Sequence, residues 1–530
     1  MSRGSYARAA GVMVVAIFLS RVLGLVRESA IAARFGQGAL TDAYNAAFLL
    51  PDLLYFMVAG GALSSAFIPV FTEYLATHRE DDAWDVYSSV LNLMALVVGA
   101  LVVVAFLLAP GIVPFFAPRD FTAGQLDTTA KLTRILLPAQ FFFFMGGLTM
   151  GTLYARNRFL VPALGPIIYN LGIITGAVWL AGTMGIFGLA WGALAGAFFG
   201  NFALQLWYSA RLGIGYRLKV DLRHPGVRRV FLLMLPVLLG LSLPQIDVMV
   251  NKWFARFLAE GSMSALNYAN RLMQVPLGVF GQAAGIAALP TLSALAARKD
   301  WREYRETLSF GLRSVFFATI PSSVLMMVLA VPMVKLFLQA GAFTERDTGY
   351  AAVALVYYSI GVFAWAGQAI VARGFYALQD TVTPVVIGTA MTFLFVPLNY
   401  LLMRPLGHGG LALATSIMAT VHLMVMSAVL SKRVNGIGVR RIIVSTLRIL
   451  GATGAAAAAA AAVSAWARHI ETGSGTLGVK AAAAAELLPA LVAGMVVYLL
   501  FCRLLRVEEA AVFAQMLARR LRRAAADEPR

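Results

Sequence analysis

The chain has 530 residues, 60% of them hydrophobic and 13% charged, with a net charge of +18 and a mean hydropathy of +0.79. Soluble domains carry about 25% charged residues, and here apolar runs of about 20 residues recur from end to end, which excludes a soluble globular protein and the short alternating strands of a β-barrel. The basic residues stand in short loops beside those runs, the pattern that orients membrane proteins, so nucleic acid is excluded as a partner. One cysteine, Cys502, excludes a disulfide framework. The five histidines have no ligand spacing, so no metal is expected.

The runs predict an all-α membrane protein with fourteen transmembrane helices. Their bounds are about 8–33, 40–72, 86–110, 130–153, 160–182, 185–209, 228–254, 264–293, 309–339, 350–373, 384–404, 409–431, 441–467 and 481–505. Arg156 and Arg158, the 211–229 stretch, the 298–305 stretch, the 432–441 stretch and the tail after Arg503 concentrate the positive charge on one side. Both termini are therefore expected in the cytoplasm. The acidic stretch EYLATHREDDAW, with Glu73, does not help to fix sidedness. The first run is too long, and too interrupted by charge, to be a cleavable signal.

That first helix (AAGVMVVAIFLSRVLGLVRESAIAA, 9–33) holds Arg21, Arg27 and Glu28 at membrane depth. A charge at the bilayer centre costs at least about 2.5–3.5 kcal/mol and normally faces a protein interior or a wet cavity. Two arginines against one acid point to a cavity that receives an anion. The structural alternative is an Arg21–Glu28 or Arg27–Glu28 ion pair holding helices together. Arg21 and Glu28 share a helix face, Arg27 and Arg34 another, and Gly24 between them permits a bend.

Next come Gly36 and Gly38, a turn signal, and Asp42, placed to cap exposed amides. Pro51 breaks the second helix before Asp52, and Gly60-Gly61-Ala62 permits close helix contact. In the eighth helix Arg271 has only Asn267, Asn270 and Gln274 near it in sequence. Its partner is either a phosphate, which the guanidinium fork suits, or an acid on another helix such as Asp247. Asp247 and Asp380 are the candidates for a coupling cation, and Asp380 can equally cap the turn before Thr381. The alanine run 455–462 gives a smooth face for close packing or for a lipid tail. The tail EEAAVFAQMLARRLRR reads as an amphipathic surface helix.

The chain also resembles itself. Tyr154-Ala155 precedes Pro162 as Tyr376-Ala377 precedes Pro384, and the prolines at 51 and 69 answer those at 276 and 290. This suggests two parallel six-helix lobes with a central cavity between them. The implied division is an N-lobe 1–210, a basic linker 211–227, a C-lobe 228–433, a helix pair 434–505 and a tail 506–530.

SRVLGLVRE (20–28), FGQGALTDAYNAAFLLPDLL (35–54), GALSSAFIPVFTEY (61–74), NYANRLMQVPLGVFG (267–281) and GFYALQDTVTPV (374–385) resemble the MurJ/MviN lipid II flippases of the multidrug/oligosaccharidyl-lipid/polysaccharide exporter superfamily. The resemblance implies a monomeric, multi-pass bacterial inner-membrane transporter. It would carry undecaprenyl-diphosphate-linked disaccharide-pentapeptide to the outer leaflet by alternating access, for peptidoglycan synthesis. It implies no enzymatic activity and no cofactor beyond a coupling cation, sodium or proton, and the membrane potential. Other cell-wall synthesis proteins are the implied partners beside lipid II and bilayer lipids. The family's substrate-binding residues fall on Arg21, Arg27, Arg271, Glu28 and Asp42. Tyr55, Gly60 and Asn270 stand where some members carry arginine, glutamate and aspartate. The alternatives are an O-antigen-type polyprenyl-diphosphate oligosaccharide flippase and a drug/cation antiporter of the same superfamily. The latter needs an acidic cavity, and this one reads as basic.

Overall fold

Backbone inside lipid has to satisfy its own hydrogen bonds, and the computed structural model, which describes residues 3–58, 62–469 and 475–513, is helical with no strand among those residues. Nine of the described helices are long and apolar enough to cross a membrane, from Glu80–Phe116 to Thr476–Leu504, and shorter apolar pieces lie at Ala66–Ala76 and Ala288–Ala297. Fourteen spans therefore remains the expectation of the sequence, and nine is what length and apolarity support. The 52-residue helix Val382–Arg433 is two helices meeting at Gly407 (φ 55°), as the predicted 384–404 and 409–431 require. The chain forms two compact units: residues up to Ser264 with Ala340–Thr344, and Ala265–Gln339 with the chain from Glu345 onward.

In the first unit, Leu160–Met184 and Phe187–Arg211 form a hairpin packed backbone to backbone. A Cβ on Gly172 would lie 2.5 Å from the Gly192 carbonyl oxygen, one on Gly176 2.4 Å from that of Gly188, and one on Gly200 2.7 Å from that of Gly165. Only glycine fits such an approach. Gly188, Gly192, Gly196 and Gly200 recur every four residues, a ladder printed openly in GLAWGALAGAFFG.

Proline shapes the helix Glu80–Phe116. Pro110 has no N–H to give the Phe106 carbonyl, and Arg134 Nε donates to that oxygen at 3.0 Å instead. At the helix end Arg256 donates to the carbonyls of Pro114 (3.1 Å) and Phe115.

The basic linker is clamped to the start of this same helix. Ser88 and Ser89 accept from the amides of Arg217 (2.9 Å) and Asp221 (3.1 Å), and Asn92 donates to the carbonyls of Arg217 (3.1 Å) and Lys219 (3.0 Å). Asp81 and Asp85 pair with Arg217 (2.6 and 3.0 Å), and Asp85 with Lys219 (2.6 Å). The acidic stretch that was silent on sidedness is thus the linker's counter-surface. The following helix, Pro225–Ala255, stays with the first unit: Arg229 pairs with Glu73 at 2.8 Å, and a Cβ on Gly226 would lie 2.6 Å from Val86. Packing therefore divides the chain at Ser264, not within 211–227, because the linker leads the seventh span back onto the unit that precedes it.

In the second unit the C-terminal helix pair is part of the core. Ala456 and Ala460 have no exposure, and a Cβ on Gly494 would lie 2.9 Å from Leu325 and 3.3 Å from Ala460. The alanine run is used here for close packing. Tyr498 donates to the Phe317 carbonyl at 2.6 Å. The first tail residues, read as a surface helix, are also tied into the unit. Glu509, 3% exposed, accepts from Arg313 (2.5 Å) and Ser445 (3.0 Å), and Glu508 from Arg313 (2.8 Å), because a buried arginine demands acids. The arginines of the tail beyond residue 513 lie outside the described residues.

Candidate functional site

Arg27 lies two turns beyond Ser20 on the helix Arg3–Phe35. Neighbours in sequence do not face each other on a helix, yet its guanidinium turns to Glu28, with Nη2 2.5 Å from Oε1. Nη1 donates to Asn170 Oδ1 at 3.1 Å, on the helix Leu160–Thr175. The side chains of Arg27 and Glu28 keep 13% and 4% exposure. Of five guanidinium N–H groups, two are used in these bonds, which leaves three donors on Arg27. One turn earlier, a Cβ on Gly24 would meet nothing within 4 Å, so the helix faces open space there. The ion pair that sequence reading set against a cavity is formed, and the arginine still keeps three N–H donors beyond these two bonds.

Arg21 is exposed on the same helix. Arg34 is also exposed and donates to the Ala181 carbonyl at 3.4 Å. Arg271 is exposed on the part of helix Ser262–Pro276 that belongs to the second unit. Beside it Gln274 donates to Asn270 at 2.6 Å, an amide pair one turn apart where some family members carry an acid.

Asp42 has a different setting. Only 1% exposed, it accepts from the Gly261 amide (2.7 Å), the Ser264 amide (2.8 Å) and Ser264 Oγ (2.5 Å). It caps amides as expected, but those that start helix Ser262–Pro276, not those of its own helix. Protein donors face both carboxylate oxygens, so Asp42 serves as a helix cap in this structure. The flanking glycines make the corner possible. Gly36 (φ 65°) and Gly341 (φ 54°) would place a Cβ 2.6 Å from Ala342 O and 2.2 Å from Ala33 O. The Ala39 amide donates to Glu260 at 2.7 Å.

Asp247 is partly buried on Pro225–Ala255, whose Lys252 lies 3.8 Å from Asp52. Asp380 accepts from the amides of Val382 (3.1 Å) and Thr383 (3.0 Å) and pairs with Arg433. Burial alone would raise its pKa, but those bonds and the Arg433 charge hold it below the usual carboxylate range. Asp380 thus caps the turn before Thr381, as the sequence allows, and a cation there would have to displace a guanidinium. Tyr55 fills its place with aromatic packing, 6.1 Å from Phe144 and 6.4 Å from Phe143 between ring centres. Gly60 lies outside the described residues. Asn170, which accepts a hydrogen bond from Arg27 across helices, was missed by sequence reading. Its signal was a lone amide in the apolar run LVPALGPIIYNLGIITG.

The family model described as "Lipid II flippase MurJ" matches residues 31–505. The lipid II flippase MurJ of Burkholderia cenocepacia is 33% identical over 422 residues, 78% of this chain and 82% of its own. The probable lipid II flippase MurJ of Synechocystis sp. is 29% identical over 476 residues, 85% and 86% of the two chains. A solved lipid II flippase MurJ in an inward closed conformation aligns with a TM-score of 0.75 at 26% identity, over 96% of this chain and 99% of that one. An inward-facing multidrug resistance transporter of the MATE family aligns with a TM-score of 0.66 at 14% identity, over 80% and 98%, which shows a shared fold.

Proposed function

The chain belongs to the lipid II flippase MurJ family of membrane transporters, and we propose that it carries lipid II from the cytoplasmic to the outer leaflet of a bacterial inner membrane. The observation that supports this most directly is Arg27: a guanidinium at membrane depth, held on two helices, with three N–H donors left over, one turn from the open position at Gly24. A diphosphate offers the oxygens those donors need. Arg21 and Arg271 are the further cationic contacts that the family resemblance implies.

Glu28 occupies Arg27 while the site is empty. Removing one partner from a buried pair costs about 3–5 kcal/mol, so the diphosphate has to approach the free donors before Glu28 gives way. On release Glu28 returns, and the empty site is not left as a bare buried cation. The saccharide and peptide head passes with the diphosphate while the prenyl chain stays in lipid. Transport proceeds by alternating access, and an inside-negative potential contributes about 2.3 kcal/mol per charge per 100 mV. Asp247 is the remaining candidate for a coupling cation. Both termini are cytoplasmic, the protein acts as a monomer, and no bond is made or broken in the substrate.

The test is replacement of a depleted lipid II flippase in living cells, with lipid II exposure at the outer leaflet as readout. The wild-type chain restores growth. Arg27→Glu inserts but exposes at least about a hundredfold less lipid II, because it puts two acids where the diphosphate has to bind. Normal exposure by Arg27→Glu overturns the proposal.

A further inference from the structure

We infer that Asn170 is a positioning residue for Arg27 and that its lack of charge is what keeps the site open to an anion. The inference rests on the diphosphate reading above and deepens it.

Asn170 is 6% exposed. Its Nδ2 donates to the Pro166 carbonyl at 2.9 Å and lies 3.4 Å from the Ser20 carbonyl. Two carbonyl acceptors on that side can be met only by the NH2 end of the amide, which fixes its orientation. The carbonyl end then has to face Arg27, and it does, at 3.1 Å. One side chain thus ties helix Arg3–Phe35 at Ser20 and at Arg27, on either side of the open space at Gly24.

The backbone under Asn170 is itself fixed. Gly165 and Gly172 flank it, and each is pressed against the paired helix: a Cβ on Gly165 would lie 2.9 Å from Asn201 Oδ1, and one on Gly172 2.5 Å from the Gly192 carbonyl oxygen. A group held this rigidly can aim a guanidinium without rearranging when substrate arrives.

Charge makes the choice of residue specific. Arg27 and Glu28 together sum to zero, and what attracts a diphosphate is the unused donor face of Arg27. An amide oxygen orients the fork through a partial charge and leaves that sum unchanged. An aspartate of the same shape would give the cluster a net charge of −1 and set its second oxygen against the Pro166 carbonyl. Asn170 is therefore also a selector: it permits lipid diphosphates and leaves uncharged prenyl lipids unaffected.

The experiment measures binding of undecaprenyl diphosphate and of uncharged undecaprenol to the full-length protein in detergent by native mass spectrometry, with a thermal unfolding midpoint for each variant. The wild-type chain prefers the diphosphate. Asn170→Asp loses about tenfold or more in diphosphate affinity, keeps its undecaprenol binding and unfolds near the wild-type temperature. Asn170→Ala loses less, because it frees the fork without adding a charge. Diphosphate binding by folded Asn170→Asp as tight as wild type overturns the inference. Should Asn170→Asp not accumulate, unchanged diphosphate affinity in folded Asn170→Ala overturns it. A wild-type chain that does not prefer the diphosphate over undecaprenol removes the anion-carrier reading, and this inference with it.

Discussion

Glu28 and Asp42 are both buried carboxylates from one stretch of sequence, 3% and 1% exposed, and their surroundings give them opposite work. Glu28 faces the charged fork of Arg27, which has donors to spare. Asp42 faces two backbone amides and a hydroxyl that have nowhere else to turn. A carboxylate paired with a cation that has donors to spare can be exchanged for another anion. One that closes the end of a helix belongs to the fold. Burial and residue type alone do not separate the two; the identity of the donor does.

Removing the charge at Glu28 should break the comparison most visibly. Glu28→Gln leaves Arg27 with an amide in place of its counter-ion, so the diphosphate is held longer. Turnover of lipid II should fall about tenfold while its apparent KM also falls. A Glu28→Gln protein with unchanged turnover and KM would show that Glu28 is only structural.

Asp42→Ala should act on stability instead. It orphans two amides and a hydroxyl at a buried helix start, a loss of about 2–4 kcal/mol, readable as a lower unfolding midpoint. The molecules that remain folded should bind undecaprenyl diphosphate normally, and weakened binding would place Asp42 among the substrate contacts after all. Ser264→Ala sharpens the point on a smaller scale. It removes the hydroxyl bond and spares both amides, for about 1 kcal/mol.

How much of this was legible in the sequence follows the same division. Charge inside an apolar run is a local signal, so Arg21, Arg27 and Glu28 stood out at once. Asp42 was legible as a cap, but the helix it caps is 219 residues away, and no local pattern connects the two. Asn170 was illegible because one amide in an apolar span is ordinary until its orientation is known. The glycine ladder was printed in the sequence and passed over because its partner glycines lie in another span. The seventh helix was assigned to the second lobe by counting six spans to a repeat, whereas the clamped linker decides where it packs. The tail's basic face drew attention away from Glu508 and Glu509, which a buried arginine claims.

The smallest expected effect is at a third carboxylate, Asp380, which pairs with a cation as Glu28 does and caps amides as Asp42 does. Its folded pKa is depressed. Its contribution is therefore full above the unfolded value of about 3.9 and is lost as pH falls through the lower folded value. The gap in unfolding midpoint between wild type and Asp380→Asn should be constant near neutrality and close below about pH 4. A gap that persists to lower pH would mean that the capping bonds outweigh the charge.

The cap across 219 residues also sets a clock on biosynthesis. At about 5–20 residues per second, ribosomes need about 10–45 s to go from Asp42 to Gly261. Throughout that interval the nascent chain carries an acid whose donors do not yet exist. A fragment ended in between would carry that acid unanswered, so the corner can close only after the chain has passed Gly261.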